Sequence, residues 1–158
     1  MVTAIDEDLL SAFGLLRRPR VDSDQVPVER LDAYATGMVD RLGLNTALSR
    51  RASTEVGDVW VVPGNGFICL DVGGGCCSRS DAARDRGMVT WTAGRSRDGS
   101  IVHGLVPDSV EEVVLTATDG TTKTVAVSDN VYGTEMEGVF TSLRFAGPKG
   151  TVALGPFR

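Results

Sequence analysis

Lysine is almost missing from this chain of 158 residues: only Lys123 and Lys149 occur, and arginine supplies the rest of the 16 basic side chains. There is one histidine, His103, and all three cysteines fall in a single stretch, "CLDVGGGCC" at 69–77. Each scarcity excludes something. The basic residues are scattered among 21 acidic ones, with a net charge of −5, so no positive stripe is available for nucleic acid. One histidine and a C-x6-CC spacing do not make the four-ligand rhythm of a structural zinc site, and no metal or other cofactor is expected. No apolar run approaches the ~20 residues that a helix needs to cross a bilayer. The opening "MVTAIDEDLL" is acidic where a signal peptide is basic and then apolar. It reads either as a cytosolic start or as a chain trimmed of an export segment. The preference for arginine reads as codon bias of a GC-rich genome, not as function.

What remains is an ordinary globular composition, 42% hydrophobic and 23% charged, with 19 glycines that favour turns over long helices. Its length fits one domain, 1–158, with a helical part over about 1–54 and a β-rich part over about 55–158. Residues 5–18, "IDEDLLSAFGLLRR", have acids in the first turn and Arg17 and Arg18 in the last, the order a helix dipole favours. Leu9, Leu10, Phe13 and Leu16 form its apolar face, and Pro19 stops it. Pro27 is placed to open a second helix with Val28, Leu31, Ala35 and Met38 on one side. Asn45 is a candidate cap for a third, "TALSRRAS".

From about residue 56 the hydrophobic period changes from 3.6 to 2. "VGDVWVV" and "FICLDV" read as strands joined by "PGNG". A short helix follows, opened by Ser78 and Asp81 at capping-box spacing and ended by Gly87. The strand-like segments "MVTWTAG", "SIVHGLV", "VEEVVLTAT", "TTKTVAV", "GVFTSLRFA" and "TVALGPF" come next. Strict alternation fixes two registers. Val113 and Leu115 share a face with Val125 and Val127 only across a loop of odd length, which "TDG" supplies with Gly120 in the left-handed position. Across "GPKG" the same reasoning pairs Phe145 with Val152 and Leu143 with Leu154. The expected class is α+β: N-terminal helices packed on a mostly antiparallel β-sheet or sandwich.

The segments "FGLLRRP" (13–19), "ALSRR" (47–51), "VVPGNGFICL" (61–70) and "HGLVPDSVEEVVL…DNVYG" (103–133) together resemble a group of uncharacterised actinobacterial proteins. In that group a Leu-Arg-Arg-Pro segment follows a membrane or signal segment. A cysteine-bearing strand comes next, then Gly-Leu-Val-Pro-Asp-Gly-Val, a strand pair and Asp-Asn-Val-Tyr. This chain has Ser109 where the group tends to have glycine. The resemblance spans most of the chain and implies export to the cell surface, secreted or held by a membrane anchor upstream. It implies no activity.

Four readings compete for the cysteines. A disulfide from Cys69 to Cys76 or Cys77 comes first, because the glycines between them fold the chain back on its own strand. Closing a loop of roughly eight residues stabilises by about 2.5 kcal/mol in the chain-entropy model. Three reduced thiols in a cytosolic protein are the bland alternative, and a metal site is the third reading. The fourth is a nucleophile: Cys77 just before a helix N-terminus, His103 as base and Asp108 or Asp129 to orient it. The acidic residues Asp108, Glu111, Glu112, Asp129, Glu135 and Glu137 otherwise read as solvated turns. No P-loop, dinucleotide fingerprint, Ca²⁺ loop or G-x-S-x-G element occurs. Trp60, Trp91, Tyr132 and Tyr34 are the large amphipathic side chains. On strands these are normally core, and Trp60, Trp91 and Tyr132 become candidate binding residues where they face solvent.

The expectation is therefore a non-enzymatic extracytoplasmic domain, binding or structural at the cell surface, with a protein or cell-surface partner. One alternative is a small cysteine-dependent hydrolase or redox enzyme using Cys77 and His103. The other is a cytosolic ligand-binding domain.

Overall fold

A computed structural model describes residues 1–35 and 37–158, with the side chains of residues 37 and 38, Met38 among them, outside the description. The described residues form three antiparallel sheets with short helices, the expected α+β class. The first sheet takes its strands in chain order: β1 (Arg50–Thr54), β2 (Gly57–Pro63), β3 (Phe67–Asp71) and β4 (Gly75–Arg79). The second has the order β5 (Met88–Ala93), β6 (Ser100–Leu105), β9 (Val131–Met136). The third contains β7 (Glu112–Ala117), β8 (Thr122–Ala126), β10 (Phe140–Gly147) and β11 (Gly150–Leu154), in the order β11-β10-β7-β8.

The first two sheets meet at both edges, β1 against β9 and β4 against β5. Between them lies the first core, with Val59, Val61, Ile68, Leu70, Leu105 and Val131 turned inward. The N-terminal helices fill its middle: Leu9, Phe13 and Leu16 are almost wholly buried there. The second sheet is apolar on both faces. Period two sends Met88, Leu105 and Val131 into the first core, and Val102, Tyr132 and Met136 into a second core shared with the third sheet. A third cluster, with Val26, Leu44, Trp60, Val62 and Cys69, covers the outer face of the first sheet.

The two registers fixed by alternation are the ones observed. Val113 pairs with Val125, across the loop Thr118–Gly120 with Gly120 at φ +88°. Leu143 pairs with Leu154 and Phe145 with Val152. Asn45 caps as expected, accepting from the Ala47 amide at 2.9 Å, but the helical turn is short, Thr46–Leu48.

Several expectations are corrected. The first helix is two: α1 (Glu7–Ala12) and α2 (Gly14–Arg17), broken at an extended Phe13. In one continuous helix the amides of Gly14 and Leu15 would donate back one turn. Here Asp108 Oδ1 accepts from Gly14 at 2.8 Å and Asn130 Oδ1 from Leu15 at 2.9 Å. Arg17 Nη1 donates to both abandoned carbonyls, Leu10 at 2.6 Å and Ser11 at 3.4 Å, and the Asp108 amide donates to the Ala12 carbonyl at 2.8 Å. The segment after Pro27 gives only a short turn over Val28–Arg30 and α3 (Leu31–Tyr34), followed by α4 (Gly37–Leu42). Val28 and Ala35 are exposed, so of the face expected there Leu31 packs down. The β-rich part starts earlier than residue 55. Arg50–Thr54 is a strand because Ala52 alternates into the core opposite Val59. Ser78 belongs to β4, so α5 (Ser80–Arg86) starts after it, without a side-chain cap, and ends at Gly87 as expected. The stretch read as a solvated turn over 128–137 contains β9. Its alternation is masked because both faces are covered, and Gly133 is required where His103 and Thr54 press on the backbone.

Asp24 pins the segment that covers the first sheet. It is fully buried and takes Arg18 on both oxygens, at 2.8 and 2.7 Å. It also accepts from the amides of Arg51 and Val21, both at 2.8 Å. Burial pushes its carboxyl up, but these hydrogen bonds outweigh burial and hold it well below the usual carboxylate range. Asp24→Asn keeps one acceptor oxygen but turns the other into a donor facing an Arg18 nitrogen and one amide, leaves the Arg18 charge unpaired, and is expected to cost about 3–5 kcal/mol in urea unfolding. The carboxylate's contribution is complete above the unfolded value of ~4 and declines as pH falls toward the folded one, so stability of the variant should depend less steeply on acid pH. A second expectation concerns Ser109, at φ +72°. A left-handed non-glycine residue costs roughly 1 kcal/mol, so Ser109→Gly should raise the unfolding midpoint while Ser109→Ala does not.

Candidate functional site at the disulfide hairpin

The β3–β4 hairpin carries the cysteines, and its register decides between them. Cys69 is directly opposite Cys77, and Leu70 is opposite Cys76. With period two, Cys69 and Cys77 share the outer face, while Cys76 turns inward against the first core. The disulfide is Cys69–Cys77, and Cys76 is a free, half-buried thiol whose burial pushes its pKa up. Gly75 is required at the turn, since a Cβ there would lie 2.8 Å from the Leu70 carbonyl oxygen. Gly73 has φ +101°, and its amide donates to Asp71 Oδ1 at 2.9 Å.

Asp71 lies on the same face, opposite Trp60 on β2. It is almost fully buried and anchors the covering segment. Tyr34 donates to its Oδ2 at 2.6 Å, and Arg30 reaches its Oδ1 at 3.3 Å. The same Arg30 guanidinium stands 5.1 Å from the Trp60 ring centroid, a cation–π contact. Burial pushes the Tyr34 phenol up and Asp71 adds to the effect, so Tyr34 remains a hydrogen-bond donor. Between this latch and the glycine turn opens a cavity of about 320 Å³, lined by Glu29, Arg30, Tyr34, Asp71, Cys69 and Cys77 with the turn glycines at its rim. Its size is at the small end of ligand pockets. Chemically it offers a cation, two carboxylates, a phenol and a disulfide wall.

The other residues singled out from sequence are placed elsewhere. Cys77 is bound in the disulfide on the outer face of the first sheet and lies within β4, ahead of α5 but not at its N-terminus. His103 is on β6, on the face that carries Leu105 into the first core, so the two are not brought together. Its ring lies against Gly133 and Thr54, and burial pushes the imidazole pKa down. Asp108 is tied into the break of the first helix. Burial pushes it up, but hydrogen bonds from Asn130, Arg17 and Gly14 prevail and hold it below its ordinary value. Asp129 sits in the turn before β9 at φ +52°. Trp60 is buried, and Tyr132 is 2% exposed in the second core with its ring over Gly104. Trp91 is 36% exposed and stacks with Phe140 and Phe157 at 5.1 and 4.8 Å between centroids. The two tryptophans therefore form no common patch. A larger groove, about 860 Å³, runs beside β8 and β9 with Asp98, Asp119, Glu135 and Glu137 around Lys123. Among the described residues no group of His, Cys, Asp and Glu is arranged to hold a metal ion, and no helix is long and apolar enough to cross a membrane.

Arg30 and Asp71 escaped sequence reasoning, and Tyr34 entered it only as a large amphipathic side chain without a role. Only Asp71 carried a signal: it continues the alternation Cys69–Asp71 on a face that is otherwise apolar. No family model, no curated protein and no solved structure matches the chain.

Arg30→Ala removes the cover from Trp60 and one partner of Asp71. In a Trp91→Phe background it should red-shift tryptophan emission and increase acrylamide quenching. The expected loss of stability is about 1–2 kcal/mol, the scale of a partly buried cation–π contact with its ion pair.

Proposed function

We propose that this is an extracytoplasmic, non-enzymatic domain that acts in binding at the cell surface. One observation carries the reading: the Cys69–Cys77 disulfide. Such bonds persist in oxidising compartments and are rare where thiol buffers keep cysteines reduced. The sequence resemblance to exported proteins points the same way. Binding is favoured over a purely structural role by the cavity of about 320 Å³ beside the disulfide. Support for a non-enzymatic role comes from the fate of the reactive groups: the sulfur of Cys77 is bonded to Cys69, and the Asp108 carboxylate is occupied by Gly14, Arg17 and Asn130.

The compartment is tested in cells that carry the gene. Cells are quenched in acid, the protein is denatured without reductant, and free thiols are alkylated and counted. One alkylated cysteine, Cys76, in protein recovered from the envelope or the medium is expected. Three alkylated cysteines in the cytosolic fraction would refute export and leave the cytosolic ligand-binding alternative.

A further inference from the structure

We propose that the Cys69–Cys77 bond is a thiol-exchange site of the folded protein, entered at Cys77 by a small thiol that the neighbouring cavity admits. This goes beyond the binding role and does not depend on the compartment. The two sulfurs are not equivalent. Cys69 is 4% exposed, packed with Trp60, Val62 and Leu44, whereas Cys77 is exposed. Both residues line the same cavity of about 320 Å³, so solvent reaches the bond without unfolding. A cavity of this size suits a low-molecular-weight thiol.

The exchange balances in two steps. A thiolate attacks Cys77 Sγ: its new S–S bond forms, the Cys69–Cys77 bond breaks, and the electron pair leaves on Cys69 Sγ, which takes a proton from water. The apolar setting of Cys69 favours its neutral thiol once formed. A second thiolate then attacks the sulfur of the bound thiol. It releases a small-molecule disulfide and leaves Cys77 as thiolate, which protonates. The protein is reduced by two electrons, and two small thiols are oxidised. The mixed disulfide closes again when the thiolate of Cys69, the direct cross-strand partner of Cys77, expels the small thiol; the dithiol closes by the reverse of both steps, taking up the small-molecule disulfide as oxidant. Cys76 faces the other side of the sheet and takes no part.

The fold is arranged to outlast the bond. Cys69 and Cys77 are already held opposite each other by the ladder from Phe67↔Arg79 to Asp71↔Gly75. Asp71 stays anchored through Tyr34 and Gly73, and β4 runs into α5, whose Ala83 is fully buried in the first core. Breaking the bond therefore frees a reactive thiol at the cavity wall without releasing the hairpin.

The experiment uses oxidised Cys76→Ser protein, in which every free thiol must come from the bond. It is incubated with glutathione in buffer and in urea below the unfolding transition, quenched in acid, alkylated, and mapped by fragment spectra. Tryptophan fluorescence monitors the fold. The expected result is a glutathione adduct on Cys77 and an alkyl group on Cys69. The rate should be linear in glutathione and constant within about twofold across sub-transition urea, since unfolding-gated chemistry instead follows the unfolded population. An adduct on Cys69, a rate that climbs with urea, or no adduct until the protein unfolds would each overturn the proposal. The same map on wild-type protein gives the answer if Cys76→Ser does not fold.

Discussion

Asp108 and Asn130 hold the N-terminal helix open at Phe13, and the first core depends on that break. A straight helix over residues 7–17 would carry Phe13, Leu15 and Leu16 around a turning cylinder. The break instead lets α1 and α2 change direction inside the space enclosed by the first two sheets, with Leu9, Phe13, Leu15 and Leu16 all buried there. The clasp is closed on every side. Asn130 Nδ2 donates to Asp108 Oδ1 at 2.9 Å and to the Val106 carbonyl at 3.2 Å, while Arg17 binds Asp108 Oδ2 at 2.6 Å. Burial of Asn130 is tolerable because both ends of its amide have partners. Two loops far apart in sequence thus supply the hydrogen bonds that the helix gives up.

The second sheet is the other organising element. Packed on both faces, it serves two cores at once, and its glycines mark where neighbouring side chains cross it. Tyr132 lies over Gly104 on one face, and His103 and Thr54 lie over Gly133 on the other. Lys123 ties this sheet to the third, donating to Thr134 Oγ1 at 2.8 Å and to the Glu135 carbonyl at 2.9 Å. One of the two lysines in the chain is therefore a bridge between sheets.

Where a residue's role follows from local pattern, it could be read from sequence. The alternation of Val113, Leu115 and Ala117 against Val125 fixed a register, and Gly87 and Gly120 fixed an end and a turn. Where both faces of a strand are covered, alternation vanishes, and β9 was invisible for that reason. The break at Phe13 was equally hidden, since its cause lies at Asp108 and Asn130, about a hundred residues away. The candidate site was half legible. The glycine hinge pointed to a disulfide, but only strand register chose Cys77 over Cys76. The latch of Arg30 and Tyr34 on Asp71 spans 41 and 37 residues and has no local signature.

That choice of sulfur bears on how the chain matures. Cys76 and Cys77 are adjacent, and a slip of β4 by one residue would present the wrong one to Cys69. Oxidation after correct pairing seals the native hairpin; oxidation before it can seal a misaligned one. A single stray thiol next to the proper one thus makes the fidelity of assembly a matter of timing, with zipping of the strands required to outrun the oxidant.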